Sequence, residues 1–140
     1  MSITPELLAS VKLHEGYRAR AYQDTVKVWT IGYGTNLQEL EIDEELATEW
    51  LYNKLRQAEV SARGYPWFNN LNQARKDVVV EMLYNLGLPR FDKFAKLKKA
   101  LSESNFDAAA REMLDSTWAA QVGVRADRLA QQMLDGEYWK

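Results

Sequence analysis

Three oxygen-bearing side chains lie close together near the start of the chain: Glu15, Asp24 and Thr30. Two carboxyl groups and a hydroxyl suit general acid–base chemistry, with one acid protonating a leaving oxygen and the other acting from the opposite side of the reacting centre. Cleavage of a glycosidic bond needs such a pair, with the carboxyls roughly 5 to 9.5 Å apart. The nine steps from Glu15 to Asp24 would span about 30 Å if extended, so the chain must double back for the pair to work. Gly16 followed by a hairpin permits that without demanding it. In this reading Glu15 is the proton donor, on the buried face of a helix, and Asp24 the base or electrostatic partner, in a wet turn. Thr30 would be the hydroxyl that holds a water or the Asp24 carboxylate in line. Spacing alone equally allows a helix-terminal acid, an ordinary turn former and a strand threonine.

The elements that must position these groups are legible in outline. Thr4, Pro5 and Glu6 mark a helix start, which the pattern carries to about Lys12 or His14, with Leu8, Val11 and Glu15 on one stripe and Gly16 as the stop. From Tyr17 to Asn36 short aromatic and β-branched segments, Ala21-Tyr22 and Val26 to Ile31, predict a small antiparallel sheet. Asp43 caps a long helix whose apolar stripe is Leu46, Trp50, Leu51, Leu55 and Ala58, ended by Gly64 and Pro66. A helix buried through the middle of a domain follows from Asn72 to Leu86, apolar on almost every side from Val78 to Leu86 and interrupted there chiefly by Glu81, and Gly87 and Pro89 stop it. Three further amphipathic helices are predicted at Phe91–Leu101, Phe106 to about Leu114, and Val124–Leu134. The reading is an α+β domain covering 1–140, with a sheet lobe at about 15–42, a larger helical lobe from 1–14 and 43–140, and a cleft between them.

Composition narrows the chemistry. The 140 residues contain no cysteine and one histidine, so disulfides, thiolate nucleophiles and His-rich metal sites are excluded. A net charge of -2 with both signs interspersed offers no broad cationic field for nucleic acid. No apolar run approaches the roughly 18 residues that span a bilayer, and the first residues do not read as a secretory signal. His14 lies about 100° around the helix from Glu15 and reads as a surface or half-buried residue. Gly32-Tyr33-Gly34 lacks the third glycine of a dinucleotide fingerprint and lets the strand bend or come close to a ligand. Trp50, Phe91, Phe106 and Trp118 sit at helical spacing and read as core; Lys93, Lys96, Lys98 and Lys99 read as a solvated face that could meet the carboxylates of peptide stems.

The runs His14-Glu15-Gly16, Asp24-Thr25 and Trp29-Thr30-Ile31-Gly32-Tyr33-Gly34-Thr35 resemble the signature of the phage-type lysozymes, glycoside hydrolase family 24: Glu, eight residues, Asp, five residues, Thr, then Ile-Gly-x-Gly. The likeness continues in Met82-Leu83-Tyr84-Asn85-Leu86-Gly87, in Phe106, Ala109 and Ala110, in Trp118, and in Arg125 with Arg128, so it covers nearly the whole chain. It implies a lysozyme-like fold and hydrolysis of the β-1,4 bond between N-acetylmuramic acid and N-acetylglucosamine in peptidoglycan. It implies inversion at the anomeric carbon and no metal or organic cofactor. Glu15, Asp24 and Thr30 would be catalytic, and Tyr33, Asn36, Tyr84, Asn85 and Arg125 would bind substrate. The expected partners are peptidoglycan glycan strands, with no nucleic acid and no stable membrane insertion. A monomer is expected, held in the host cytoplasm until a holin opens the membrane. Thr35 stands where the family's best-known members carry histidine. The rival readings are a lytic transglycosylase and a non-catalytic wall-binding or phage structural protein.

Overall fold

A computed structural model describes residues 2–140. The order of elements is α1 (Pro5–Glu15), β1 (Arg18–Gln23), β2 (Trp29–Gly32), β3 (Thr35–Asn36), α2 (Glu44–Arg63), α3 (Gln73–Leu86), α4 (Leu88–Asp92), α5 (Ala95–Ser102), α6 (Phe106–Leu114), α7 (Thr117–Val122) and α8 (Val124–Asp135), with a 3-10 turn at Phe68–Asn70. This is the expected α+β arrangement, a small antiparallel sheet followed by a run of helices. The chain divides into two compact units, Met1–Ala47 and Thr48–Lys140.

In the first unit Thr4 caps α1 as its residue type requires, its hydroxyl accepting from the Leu7 amide at 3.1 Å. Gly16 ends the helix at φ +74, its N–H donating to the Lys12 carbonyl. The three strands pair in the order β1-β2-β3, all antiparallel. Tyr22 faces Thr30 and Gln23 faces Trp29, while Thr30 also faces Asn36 and Ile31 faces Thr35. Two expectations need correction. Val26 and Lys27 lie in the turn, so β2 begins at Trp29; Lys27 closes that turn with a left-handed φ of +65. The stripe of α1 is not buried either: no residue of that helix is, Leu8 and Val11 included.

The second unit is built around α3, α5, α6 and α8. Val78, Val79, Met82 and Leu83 of α3 are buried with Phe91, Leu97, Leu101, Met113, Trp118, Leu129 and Met133 in one apolar cluster. Their removal from water supplies the main drive, about 1.5–3 kcal/mol for each fully buried large side chain. Asn72, Asn105 and Ser116 cap α3, α6 and α7 through their side-chain oxygens. Phe91 and Trp118 are core as expected, and Phe106 packs partly buried against it. Trp50 is not: it is 49% exposed, because in α2 only Ala58 and Ala62 are buried, small residues that let the last turns of that helix meet the core.

The helix expected at Phe91–Leu101 is two helices. Lys93 and Phe94 leave the helical path, and the Asp92 carboxylate beside the break accepts from the Tyr65 hydroxyl at 2.7 Å and from Lys98 Nζ at 2.9 Å. Those two donors hold the Asp92 carboxyl below the usual carboxylate range, and Lys98 is thus paired rather than only solvated. Neither α7 nor the 3-10 turn was expected from spacing, being shorter than a readable period.

The end of α8 is secured from α3. Arg75 Nε donates to the Met133 carbonyl at 2.7 Å and Nη2 to that of Leu134 at 2.9 Å, and Asn72 Nδ2 donates to Gly136 at 2.9 Å. A cation on the last carbonyls also complements the negative end of the helix dipole. Gly136 takes the left-handed conformation, φ 71 and ψ 21, and a Cβ there would lie 2.9 Å from Arg75 Cζ and 3.0 Å from Asn72 Nδ2. Gly136→Ala is therefore expected to lower unfolding free energy by about 1–3 kcal/mol, read as a lower urea midpoint at unchanged slope.

Candidate active site

Glu15, Asp24 and Thr30 all fall in the first unit, on the end of α1, the β1–β2 turn and β2. Asp24 shapes its own turn. Its Oδ1 accepts from the Val26 amide at 2.9 Å and the Val28 amide at 2.8 Å, while its backbone N–H donates to the Val28 carbonyl at 3.0 Å. Both side-chain bonds fall on Oδ1, leaving Oδ2 to receive a proton or a water. A side chain that bonds the amide two residues on is the reason aspartate favours such turns.

Thr30 is buried, 5% exposed, and its hydroxyl donates at 2.9 Å to that same Val28 carbonyl. Of the two partners expected for this hydroxyl, the Asp24 carboxylate is not the one its proton reaches. The link is indirect: the Val28 N–H holds the Asp24 carboxylate, and the Val28 C=O takes both the Asp24 amide and the Thr30 hydroxyl. Its proton committed, Thr30 Oγ1 retains lone pairs that accept from water. Residue type alone gives no hint of Val28, since only its backbone acts.

Glu15 ends α1 with its carboxyl against the β2–β3 turn, where the position of a Cβ on Gly34 would be 2.8 Å from Oε2. The surroundings of the two acids are the reverse of those expected. Glu15 is exposed and Asp24 half-buried, because Asp24 is drawn into its hairpin by two amides while the helix carrying Glu15 buries nothing.

Among the residues expected to bind substrate, Tyr33 and Asn36 are in the same unit. Tyr33 is 41% exposed and lies between Lys12, whose Nζ is 5.6 Å from the ring centroid, and the Tyr17 ring, also at 5.6 Å. Asn36 Oδ1 accepts from the Gln38 amide at 2.9 Å. Tyr84, Asn85 and Arg125 belong to the second unit. Tyr84 is exposed. Asn85 accepts from Trp118 Nε1 at 2.8 Å, so its Oδ1 is engaged while its amide N–H groups can still donate. Arg125 Nε is paired with Glu81 Oε2 at 2.9 Å, which accounts for the acidic interruption of the apolar run from Val78 to Leu86. His14 is exposed and Thr35 occupies β3 opposite Ile31. Among the described residues no cluster of side chains has the composition of a metal site, and no helix is long and apolar enough to cross a membrane.

The model of the phage lysozyme family matches residues 12–132, which takes in all of these side chains. The chain belongs to that family. Among curated proteins it is 30% identical over 128 residues to an endolysin of Acyrthosiphon pisum secondary endosymbiont phage 1, covering 89% of this chain and 86% of the relative. It is 27% identical over 149 aligned positions to the probable T4-type lysozyme 1 of Dictyostelium discoideum, covering 85% and 88% respectively.

The double role of Asp24 as turn former and carboxylate can be separated. Asp24→Asn keeps an Oδ1 that accepts from Val26 and Val28, so its thermal midpoint should stay near the parent's. Asp24→Ala leaves two amides without their partner and should cost about 1–3 kcal/mol. Equal destabilisation by both would contradict this account of the turn.

Proposed function

We propose that this chain is a muramidase of the glycoside hydrolase family 24 type, hydrolysing the β-1,4 bond between N-acetylmuramic acid and N-acetylglucosamine in peptidoglycan. The observation that carries the reading is the residue-by-residue match of Glu15, Asp24 and Thr30 to the family motif, in a chain whose family match spans 12–132. Burial does not assign the roles; position in the motif does.

In this mechanism Glu15 gives its proton to the bridging oxygen as the bond from that oxygen to the anomeric carbon breaks. A water attacks the anomeric carbon from the opposite face and yields its proton to Asp24, so the configuration inverts. Asp24 Oδ1 stays on the two turn amides during this step, which leaves Oδ2 to act. Thr30, with its own proton fixed on Val28, steadies the water as an acceptor. The balance is one water consumed and one free reducing end formed; every proton moves between side chains, water and sugar. Tyr33, Asn36, Tyr84, Asn85 and Arg125 would supply contacts to sugar rings, acetamido groups and carboxylates along the strand. We extend the proposal to a monomer that waits in the host cytoplasm and reaches the wall once a holin opens the membrane, in keeping with the name of the phage relative.

Glu15→Gln tests the central step, since an amide cannot protonate a leaving group. Clearing of outer-membrane-permeabilised Gram-negative cells should fall by at least about 100-fold with the fold unchanged; clearing at the parent's rate would remove Glu15 from the role. The released muropeptides should end in reducing N-acetylmuramic acid. Anhydro products, lighter by one water, would instead identify a transglycosylase, and intact walls a binding protein.

A further inference from the structure

The place where the Glu15 carboxyl rests is made by residues about twenty positions away. A Cβ added to Gly34 would meet Glu15 Oε2 at 2.8 Å, closer than such atoms normally approach, and its Cδ at 3.5 Å, an ordinary contact, so the carboxyl end of the side chain would have to shift. Gly34 also has φ +83. Gly32, at the other end of the same turn, shares the left-handed backbone with φ +69, yet a Cβ there would meet nothing within 4 Å. Between them Tyr33 fastens the turn to the end of α1, its ring contacting Lys12 on one side of Glu15 in sequence and Tyr17 on the other. The turn therefore meets the helix end before, at and after Glu15.

We infer that Gly34 and Tyr33 are positioning residues for the Glu15 carboxyl, Tyr33 by gripping the helix end and Gly34 by leaving the volume that the carboxyl fills. This rests on Glu15 being the proton donor. A glutamate at an exposed helix end has several staggered rotamers open to it. A backbone wall on one side removes some of them and fixes where the acid points. Aim matters, because proton donation requires the carboxyl within about 3 Å of the leaving oxygen, and a misplacement of about 1 Å can cost some 100-fold in rate. The geometry thus gives Tyr33 work other than contacting sugar.

The two glycines provide a matched test. Gly32→Ala and Gly34→Ala impose the same backbone strain, and only the second intrudes on Glu15. Kinetics on soluble peptidoglycan fragments should show Gly32→Ala less heat-stable but unchanged in kcat and pH profile. Gly34→Ala should lose about 100-fold in kcat at unchanged KM, with the limb of the pH profile that reports the proton donor displaced. Tyr33→Ala should lower kcat in addition to any rise in KM from lost sugar contact; a rise in KM at unchanged kcat would leave Tyr33 a sugar contact alone and overturn its part. Equal kcat and pH profiles for Gly32→Ala and Gly34→Ala would overturn the part of Gly34. Should Gly34→Ala fail to fold, the double variant Glu15→Ala/Gly34→Ala decides: recovery to the stability of Gly32→Ala supports the contact, and no recovery refutes it. Full activity of Glu15→Gln would instead bring down the proton-donor assignment itself. Loss of activity in Glu15→Gln alongside identical glycine variants would bring down only the present inference.

Discussion

A carboxyl group at the end of a helix is joined to its backbone by three rotatable bonds, and the helix alone cannot aim it. In this chain Glu15 Oε2 lies 2.8 Å from where a Cβ on Gly34 would stand, so the carboxyl holds this place beside a residue that has none. That contact ties the C-terminal end of α1 to the turn between β2 and β3, and Tyr33 reinforces it from both sides. The first unit has little buried apolar surface of its own, so its geometry depends on such directional contacts and on the strand ladder.

The neighbouring turn uses the same economy. One residue, Val28, serves Asp24 through its N–H and both Asp24 and Thr30 through its C=O. Asp24 and Thr30 are thereby both referred to the backbone of one residue, whose N–H and C=O lie in successive peptide planes. The second unit is held differently. Its apolar cluster is extensive, and its polar bonds sit where helices end: Arg75 and Asn72 on the last carbonyls of α8, Trp118 on Asn85, and Glu81 with Arg125 between α3 and α8.

Helix starts and stops are legible in the sequence because their signals act within a few residues along the chain. Thr4 and Asp43 each accept an amide three residues on, as their types and positions suggest, and Asn72 does the same at the start of α3. The bounds of α3 and α8 follow their apolar periods closely. Helical spacing shows which residues lie on one face, but not whether anything covers that face, so Trp50 and the stripe of α1 were assigned to a core they do not enter. The break at Lys93 and Phe94 carries no glycine or proline, and the contact beside it joins Asp92 to Tyr65, 27 residues earlier.

By itself the sequence determined the types of chemistry available, two carboxyls and a hydroxyl at family spacing, and the elements that bear them, because capping, turn formation and periodicity act within a few residues along the chain. Only the tertiary structure decided where those groups rest. Glu15 became exposed and backed by Gly34, Asp24 half-buried, and Thr30 bound to Val28, since each arrangement depends on a hairpin ladder or on a contact spanning many residues. Such contacts arise from the path of the folded backbone, which local preference does not specify.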